Sequence, residues 1–332
     1  MCDEIHEFKS KLVNNHSIDF ERFALQLFQF QAQHCQIYKK FISHLDIDPL
    51  KVSTLEQVPF MPISFFKGHK ISSTRRNHTH IFESSGTTGA TTSKHYVYDL
   101  PFYLDVAQKG FESLYGDIRD YCVIGLLPSY LERNNSSLIA MVDHFIKLSD
   151  HNESGFYLNN FDALAETLKS LALRNQKTLL IGVTFGLLDF ASGYPSELTN
   201  ITIMETGGMK GRRKELTRQE VHDELKSAFS QDEIHSEYGM TELFSQAYAP
   251  SSGLFLPSYS MKVLCRDLQD PLSTKQHGRG GLNIIDLANI DSCAFIATED
   301  QGRVYENGSF EVLGRIDHTD VRGCNLMVAD LT

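Results

Sequence analysis

Glu83-Ser84-Ser85-Gly86-Thr87-Thr88-Gly89-Ala90-Thr91-Thr92-Ser93-Lys94 is the stretch on which the reading of this chain turns. Hydroxyls, two glycines and a lysine follow the short apolar pair Ile81-Phe82. Such a loop has the chemistry to wrap phosphates. Glycines let the backbone approach closely, N–H groups and hydroxyls donate to phosphate oxygens, and the lysine supplies positive charge. No Gly-Lys-Ser/Thr follows at Walker A spacing and no G-x-G-x-x-G is present, so neither the P-loop nor the dinucleotide fingerprint applies. By composition alone a plain Ser/Thr/Gly surface loop is the better reading. The surroundings of the loop decide otherwise.

Upstream, Phe20, Phe23, Leu27, Phe28, Cys35, Tyr38, Phe41, Ile42 and Leu45 recur at helical spacing, which predicts one long amphipathic helix over residues 18 to 45. Pro59 and Pro62 then break regular structure. Downstream, Pro101 opens a helix ahead of Phe102, Val106 and Leu114. Tyr121 to Leu127, Thr178 to Thr184 and Ile201 to Met204 are apolar runs expected to be buried strands, with helices over residues 137 to 148 and 161 to 173 between them. Thr217 with Glu220 forms a capping box that starts a helix running to about Phe229. Beyond residue 256 strands and turns dominate: Ser258 to Cys265, Gly281 to Ile285, Cys293 to Thr298 and Ser309 to Leu313. Alternating strand and helix predicts an α/β fold, a parallel sheet covered on both faces by helices, with a β-rich C-terminal part packed on it.

The 332 residues carry a net charge of −11, with 41% hydrophobic and 22% charged residues. That balance is ordinary for a globular protein, and it argues against a nucleic-acid surface, which needs clustered positive charge. No run approaches the roughly 20 apolar residues of a membrane span. The acidic start Met1-Cys2-Asp3-Glu4 is unlike a secretory signal. The six cysteines are scattered without C-x-x-C spacing, so neither a disulfide framework nor a zinc site is expected, and a cytoplasmic setting fits.

Four short motifs lie in order along the chain. Ser84-Ser85-Gly86-Thr87-Thr88-Gly89 resembles the phosphate loop of adenylate-forming enzymes: acyl-CoA synthetases, peptide-synthetase adenylation domains and luciferases. Tyr238-Gly239-Met240-Thr241-Glu242 resembles their Y-G-x-T-E motif. Thr298-Glu299-Asp300 is similar to their T-G-D segment, with Glu299 in place of glycine, and Gly314-Arg315-Ile316-Asp317 to their G-R-x-D hinge. Within that superfamily the likeness is closest to acyl-protein synthetases of the LuxE type. Val58-Pro59-Phe60-Met61-Pro62-Ile63-Ser64-Phe65-Phe66-Lys67, Ser236 to Gln246, and the ending Arg322-Gly323-Cys324-Asn325-Leu326-Met327 carry it.

The resemblance implies ATP and Mg²⁺ as cofactors and a carboxylic acid, in this branch a fatty acid, as substrate. Ser84, Ser85, Gly86, Thr87, Thr88 and Gly89, with Lys94, are expected to hold the β- and γ-phosphates. Thr241 is expected at the α-phosphate and Glu242 at the metal. Tyr238 and Gly239 are expected at the nucleotide, with adenine lying on the Tyr238 ring and Gly207-Gly208 forming the adenine-side turn. Asp300 would accept from the ribose hydroxyls and Arg315 would touch ribose or phosphate. Cys324 is expected to take the acyl group as a thioester, its own thiol or a partner protein being the acceptor. Phe185, Leu187, Leu188 and Phe244 are candidate acyl-pocket residues. The implied organisation is an N-terminal helical region (1–80), an α/β nucleotide-binding core (81–255) and a β-rich subdomain with a hinge-like tail (256–332). The further C-terminal domain of the larger relatives, with its catalytic lysine, is not in the sequence, so Lys94 or a partner's residue is expected to stand in for it.

Plainer readings stay open. Glu242 suits the first turn of a helix, Asp300-Gln301-Gly302 a hairpin turn, Tyr238 a core aromatic and Cys324 a small buried hydrophobe. Three functions follow: an acyl-protein synthetase, an acyl- or aryl-CoA ligase, and a non-catalytic nucleotide- or acyl-binding component of a complex.

Overall fold

A computed structural model describes residues 2–14, 18–84, 91–127, 135–158, 160–207 and 216–316. Ser85, Gly86, Thr87, Thr88, Gly89, Gly208 and Cys324 lie outside the described residues. Among those described, no helix is long and apolar enough to cross a membrane.

The apolar runs fold as expected. Cys122–Leu126, Thr178–Gly182, Ile201–Glu205 and His235–Tyr238 are parallel neighbours in that spatial sequence, with Gly155–Phe156 pairing outside Cys122–Leu126. Alternate side chains of these strands feed two cores. Val123, Leu179, Ile181 and Met204 point to one face, shared with helices Leu100–Tyr115 and Ser137–Leu148. Ile124, Leu180, Ile201 and Ile203 point to the other, shared with helices Phe161–Leu173, Thr184–Gly193 and Arg218–Phe229. A sheet buried on both sides needs apolar residues at every position, which is why these strands appear as unbroken apolar runs.

The caps agree as well. Thr217 and Glu220 form the capping box of the last helix, and Asp99 accepts from Phe102 N at the start of the Leu100–Tyr115 helix, with Pro101 in its first turn. Thr184, expected to close a strand, instead opens a helix.

The single long N-terminal helix is corrected. It divides into Phe20–His34 and Gln36–His44 at Cys35, whose backbone is extended at φ −82° and ψ 99°. Periodicity survives the break because both halves bury their apolar stripes: Phe28 meets Phe295 edge-on at 5.8 Å and Tyr38 stacks on it at 6.2 Å.

The C-terminal strands do not form a second sheet. They continue the first one antiparallel, in the order His235–Tyr238, Ala247–Ala249, Leu254–Pro257, Phe310–Arg315, Phe295–Val304, Gly278–Asp286, Met261–Arg266 and Thr274–Lys275. Met61–Pro62 adds parallel to Phe295–Val304, completing a 13-stranded sheet. His235–Tyr238 is therefore the strand at which parallel pairing gives way to antiparallel pairing. Open α/β sheets place ligands beyond the carboxyl ends of their parallel strands. Glu205 and Tyr238 end two adjacent ones.

Candidate functional site

The strands flanking the Ser/Thr/Gly stretch pair with each other, which the sequence did not announce. His80–Glu83 and Lys94–Val97 pair antiparallel, with Glu83 opposite Lys94. Ser84 N donates to Ser93 O at 3.1 Å, and Ser93 N donates to the Ser84 hydroxyl at 2.9 Å. Lys94 thus sits at the base of the connection, Nζ 3.5 Å from Glu83, with its charge shared by that neighbour.

The segment around Thr241 and Glu242 is held by hydrogen bonds between its backbone and side chains remote in sequence. Buried His95 donates from Nδ1 to the Thr241 carbonyl at 3.0 Å, and its Nε2 lies 3.0 Å from Ser292 Oγ. Burial pushes this imidazole down to about 4, against the hydrogen bond to Thr241, so the ring is neutral at pH 7. Asn289 donates to the Glu242 carbonyl at 2.8 Å, and the Asp286 carboxylate accepts from Phe244 N at 2.7 Å and Ser245 N at 3.0 Å. None of these supports was anticipated, since they come from segments remote in sequence. Glu242 itself is buried, and loss of water raises its carboxyl despite the Ser93 hydroxyl and the charges of Lys67 and Arg315.

Asp300 lies inside a strand rather than in a hairpin turn. One carboxylate oxygen accepts from Tyr238 Oη at 2.8 Å, and the other lies 3.5 Å from Arg315 Nε, the residue directly across the ladder. The Tyr238 ring packs against Phe310 at 5.4 Å and Phe255 at 5.7 Å, and the residue is buried. Gly207 has φ +69°, and nothing lies within 4 Å of where a Cβ would project, so its backbone conformation rather than close packing requires glycine.

A cleft of about 410 Å³ opens at the carboxyl ends of the parallel strands. It is lined by Ser84, Gly239, Thr241, Glu242, Glu299 and Arg315, so the structure brings a residue of each of the four sequence motifs to one wall or another of the same space. The cleft also recruits two charged residues to which the sequence reading gave no role. Lys67 ends the Val58–Lys67 run, and Glu237 immediately precedes the Tyr238 motif; membership of those runs was the available signal. The expected acyl-pocket residues lie elsewhere. Leu187 and Leu188 are buried in the core beneath the helices, and Phe244 stacks on His95 at 4.6 Å. Ile63, Tyr103, Leu138, Met141 and Met240 supply the apolar walls instead. Thr184 starts a helix directly after the strand, which turns that helix's leucines into the far core and away from the cleft.

Known proteins resemble this chain in two ways. A family model described as acyl-protein synthetase, LuxE, matches residues 10–97, the part that carries the N-terminal helices, Lys67 and the Glu83–Lys94 hairpin. No curated protein matches the sequence. Among solved structures, a 2-hydroxyisobutyryl-CoA ligase in complex with 2-HIB-AMP superposes with a TM-score of 0.65 at 12% identity, over 89% of this chain and 67% of its own. The long-chain-fatty-acid-CoA ligase FadD1 from Archaeoglobus fulgidus gives 0.52 at 14%, over 71% of this chain and 51% of its own. ATP-bound MatB from Rhodopseudomonas palustris gives 0.50 at 16%, over 71% and 47%. The chain spans about half the length of MatB and FadD1. At these identities the likeness is one of fold: the architecture is that of the adenylate-forming ligases.

Proposed function

We propose that this chain, an adenylate-forming fold with a LuxE-type N-terminal region, uses ATP to convert a carboxylic acid into an acyl-adenylate and then passes the acyl group to a protein thiol. The convergence of Ser84, Thr241, Glu242 and Arg315 on one cleft carries the reading. Each alone has a structural explanation; together they supply donors, a carboxylate and a cation for a nucleotide.

In the first step a substrate carboxylate oxygen bonds to the α-phosphorus, the bond from that phosphorus to the bridging oxygen breaks, and pyrophosphate leaves with the electron pair. Little covalent work falls to the protein, so positioning and charge stabilisation do most of it. Ser84 and the adjoining loop hydroxyls donate to the β- and γ-phosphates, and Thr241 to the α-phosphate. Asp300, steadied by Tyr238 and Arg315, accepts from the ribose hydroxyls. Lys67 and Arg315, both on the cleft wall, supply positive charge beside the leaving group, a task for which Lys94 is less suited because it does not line the cleft.

Glu242 fits a magnesium ion. It is a cleft-lining carboxylate whose burial disfavours its own charge, an effect a bound cation reverses. A hard cation there would take one protein carboxylate plus phosphate and water oxygens. Mg²⁺ held there supplies charge neutralisation to the phosphates. In the second step a thiolate attacks the acyl carbonyl and AMP departs; Cys324 is the candidate acceptor, with a partner protein's thiol as the onward destination.

ATP–pyrophosphate exchange over a panel of carboxylic acids, fatty acids included, tests the first step. The expected result is acid-dependent exchange that falls about 100-fold or more in Glu242→Ala, with unfolding unchanged. ATP binding without exchange for any acid would make the chain a binding component. Intact-mass measurement with Cys324→Ser tests the second step, and CoA-dependent turnover would redirect it to a CoA ligase.

A further inference from the structure

One group in the cleft has no task in the reaction just described. Glu237 lines the cleft and precedes Gly239, Thr241 and Glu242 in sequence, and its carboxyl makes no hydrogen bond to a described residue. A Cβ on Gly239 would stand 2.3 Å from Glu237 Oε1, so glycine at that position leaves the carboxyl the room it occupies.

Two further acceptors beside it are also unpaired. Gln246, only 4% exposed, lines the same cleft; its Nε2 donates to the Phe244 carbonyl, while Oε1 has no partner among the described residues. The Thr206 hydroxyl, also on the cleft wall, has none either. Across the ladder from Glu237, buried Tyr248 keeps an unpaired hydroxyl rather than donating to the carboxyl. An unsatisfied buried polar atom is costly, and such atoms grouped around one space are what a bound polar group would satisfy.

The chemistry of that group follows from the set. A carboxyl and an amide oxygen both accept, so the complement is rich in donors. Ionised Glu205 lies close enough to push Glu237 up, after burial, to about 8. A cation is favoured over a neutral donor there, and its arrival would ionise Glu237.

We propose that Glu237, Gln246 and Thr206 form a subsite for an amino group, bound as ammonium, on the acid that this cleft activates. The inference rests on the adenylation reading and replaces a plain alkyl acid with an amino-substituted one. The Ile63, Leu138 and Met141 walls would hold the methylenes between the two ends.

The test is exchange with matched acids of equal length: 3-aminopropanoate, 4-aminobutanoate and 5-aminopentanoate, their hydroxy counterparts, and butanoate, pentanoate and hexanoate. At one length the amino acid is expected to exceed its alkyl match at least tenfold in kcat/KM. Glu237→Gln should collapse that ratio toward one, mainly through KM for the acid, with KM for ATP unmoved. Thr206→Val, a nearly isosteric change, should lower the ratio several-fold and serves if the Glu237 variant unfolds. Alkyl acids preferred by the native chain, or a ratio indifferent to both variants, overturns the subsite while adenylation stands. Hydroxy acids preferred over amino acids would overturn the ammonium assignment. Exchange with no acid at all would remove the adenylation reading, and the subsite with it.

Discussion

Two buried glutamates, Glu205 at the end of one parallel strand and Glu237 one residue short of the end of the next, have opposite fates. Glu205 accepts from the Thr184 hydroxyl at 3.0 Å and Gly207 N at 2.8 Å, with Arg218 and His222 each 3.8 Å from its other oxygen. Burial, the largest influence, would raise it, yet hydrogen bonds from His222, Ser236 and Gly207 and the charge of Arg218 together hold it at about 2. Glu237, one strand over, has burial without the partners and rises to about 8. Burial alone therefore says nothing about a carboxylate's purpose. A partnered one fastens the fold, here tying the turn after Ile201–Glu205 to the helix Arg218–Phe229. An unpartnered one facing a cleft is left for a ligand.

The strongest way to break this contrast is Glu205→Ala. It strands Arg218 and His222 and frees the Gly207 turn, and should cost roughly 3–5 kcal/mol of stability, measured by denaturant unfolding. Glu237→Ala made in the same background should cost far less; equal losses would erase the distinction. Next in size, Lys67→Met should lower the exchange rate about 30- to 100-fold, on the order of 2–3 kcal/mol, with the unfolding midpoint unmoved. An unchanged rate would place Lys67 outside the phosphate chemistry.

The pH dependence separates the two carboxylates by sign. Glu237 holds its proton in the folded state from its ordinary 4.5 up to about 8. Its contribution is full below pH 4.5 and is lost as pH rises toward 8, by at most about 1.4 kcal/mol per pH unit. Glu205 does the reverse: its contribution is present above 4.5 and lost as pH falls toward 2. Glu237→Gln should flatten the decline between pH 4.5 and 8 and leave the acid limb intact, as unfolding curves across that range would record. The smallest effect is expected from Thr217→Ala. Removing the cap of the helix that carries Arg218 and His222 should cost about 1 kcal/mol, and the loss should shrink in a Glu205→Ala background if the helix and the glutamate act as one unit.

The fold was largely legible because local rules agree with the global arrangement. Val123, Ile181 and Ile203 lie in unbroken apolar runs, and Thr217 with Glu220 marks a helix start, so strands and helices could be placed without knowing their neighbours. The break at Cys35 was invisible because hydrophobic spacing is the same on either side of it. That Leu187 and Leu188 turn away from the cleft was invisible for a related reason: they are as apolar as any pocket wall, and only the direction of their helix decides which side they face.

Of the site, the sequence by itself determined which residue types were present in motif order: Ser84, Thr241, Glu242, Asp300 and Arg315, each carrying chemistry that suits a nucleotide. The tertiary structure alone decided how their charges are balanced. It set Glu83 against Lys94, turned His95 and Asn289 onto the Thr241–Glu242 turn, gave Glu205 its partners and left Glu237 with none. The physical reason is that a side chain's chemical type is local, whereas its desolvation and hydrogen-bond partners come from segments that only folding brings within reach.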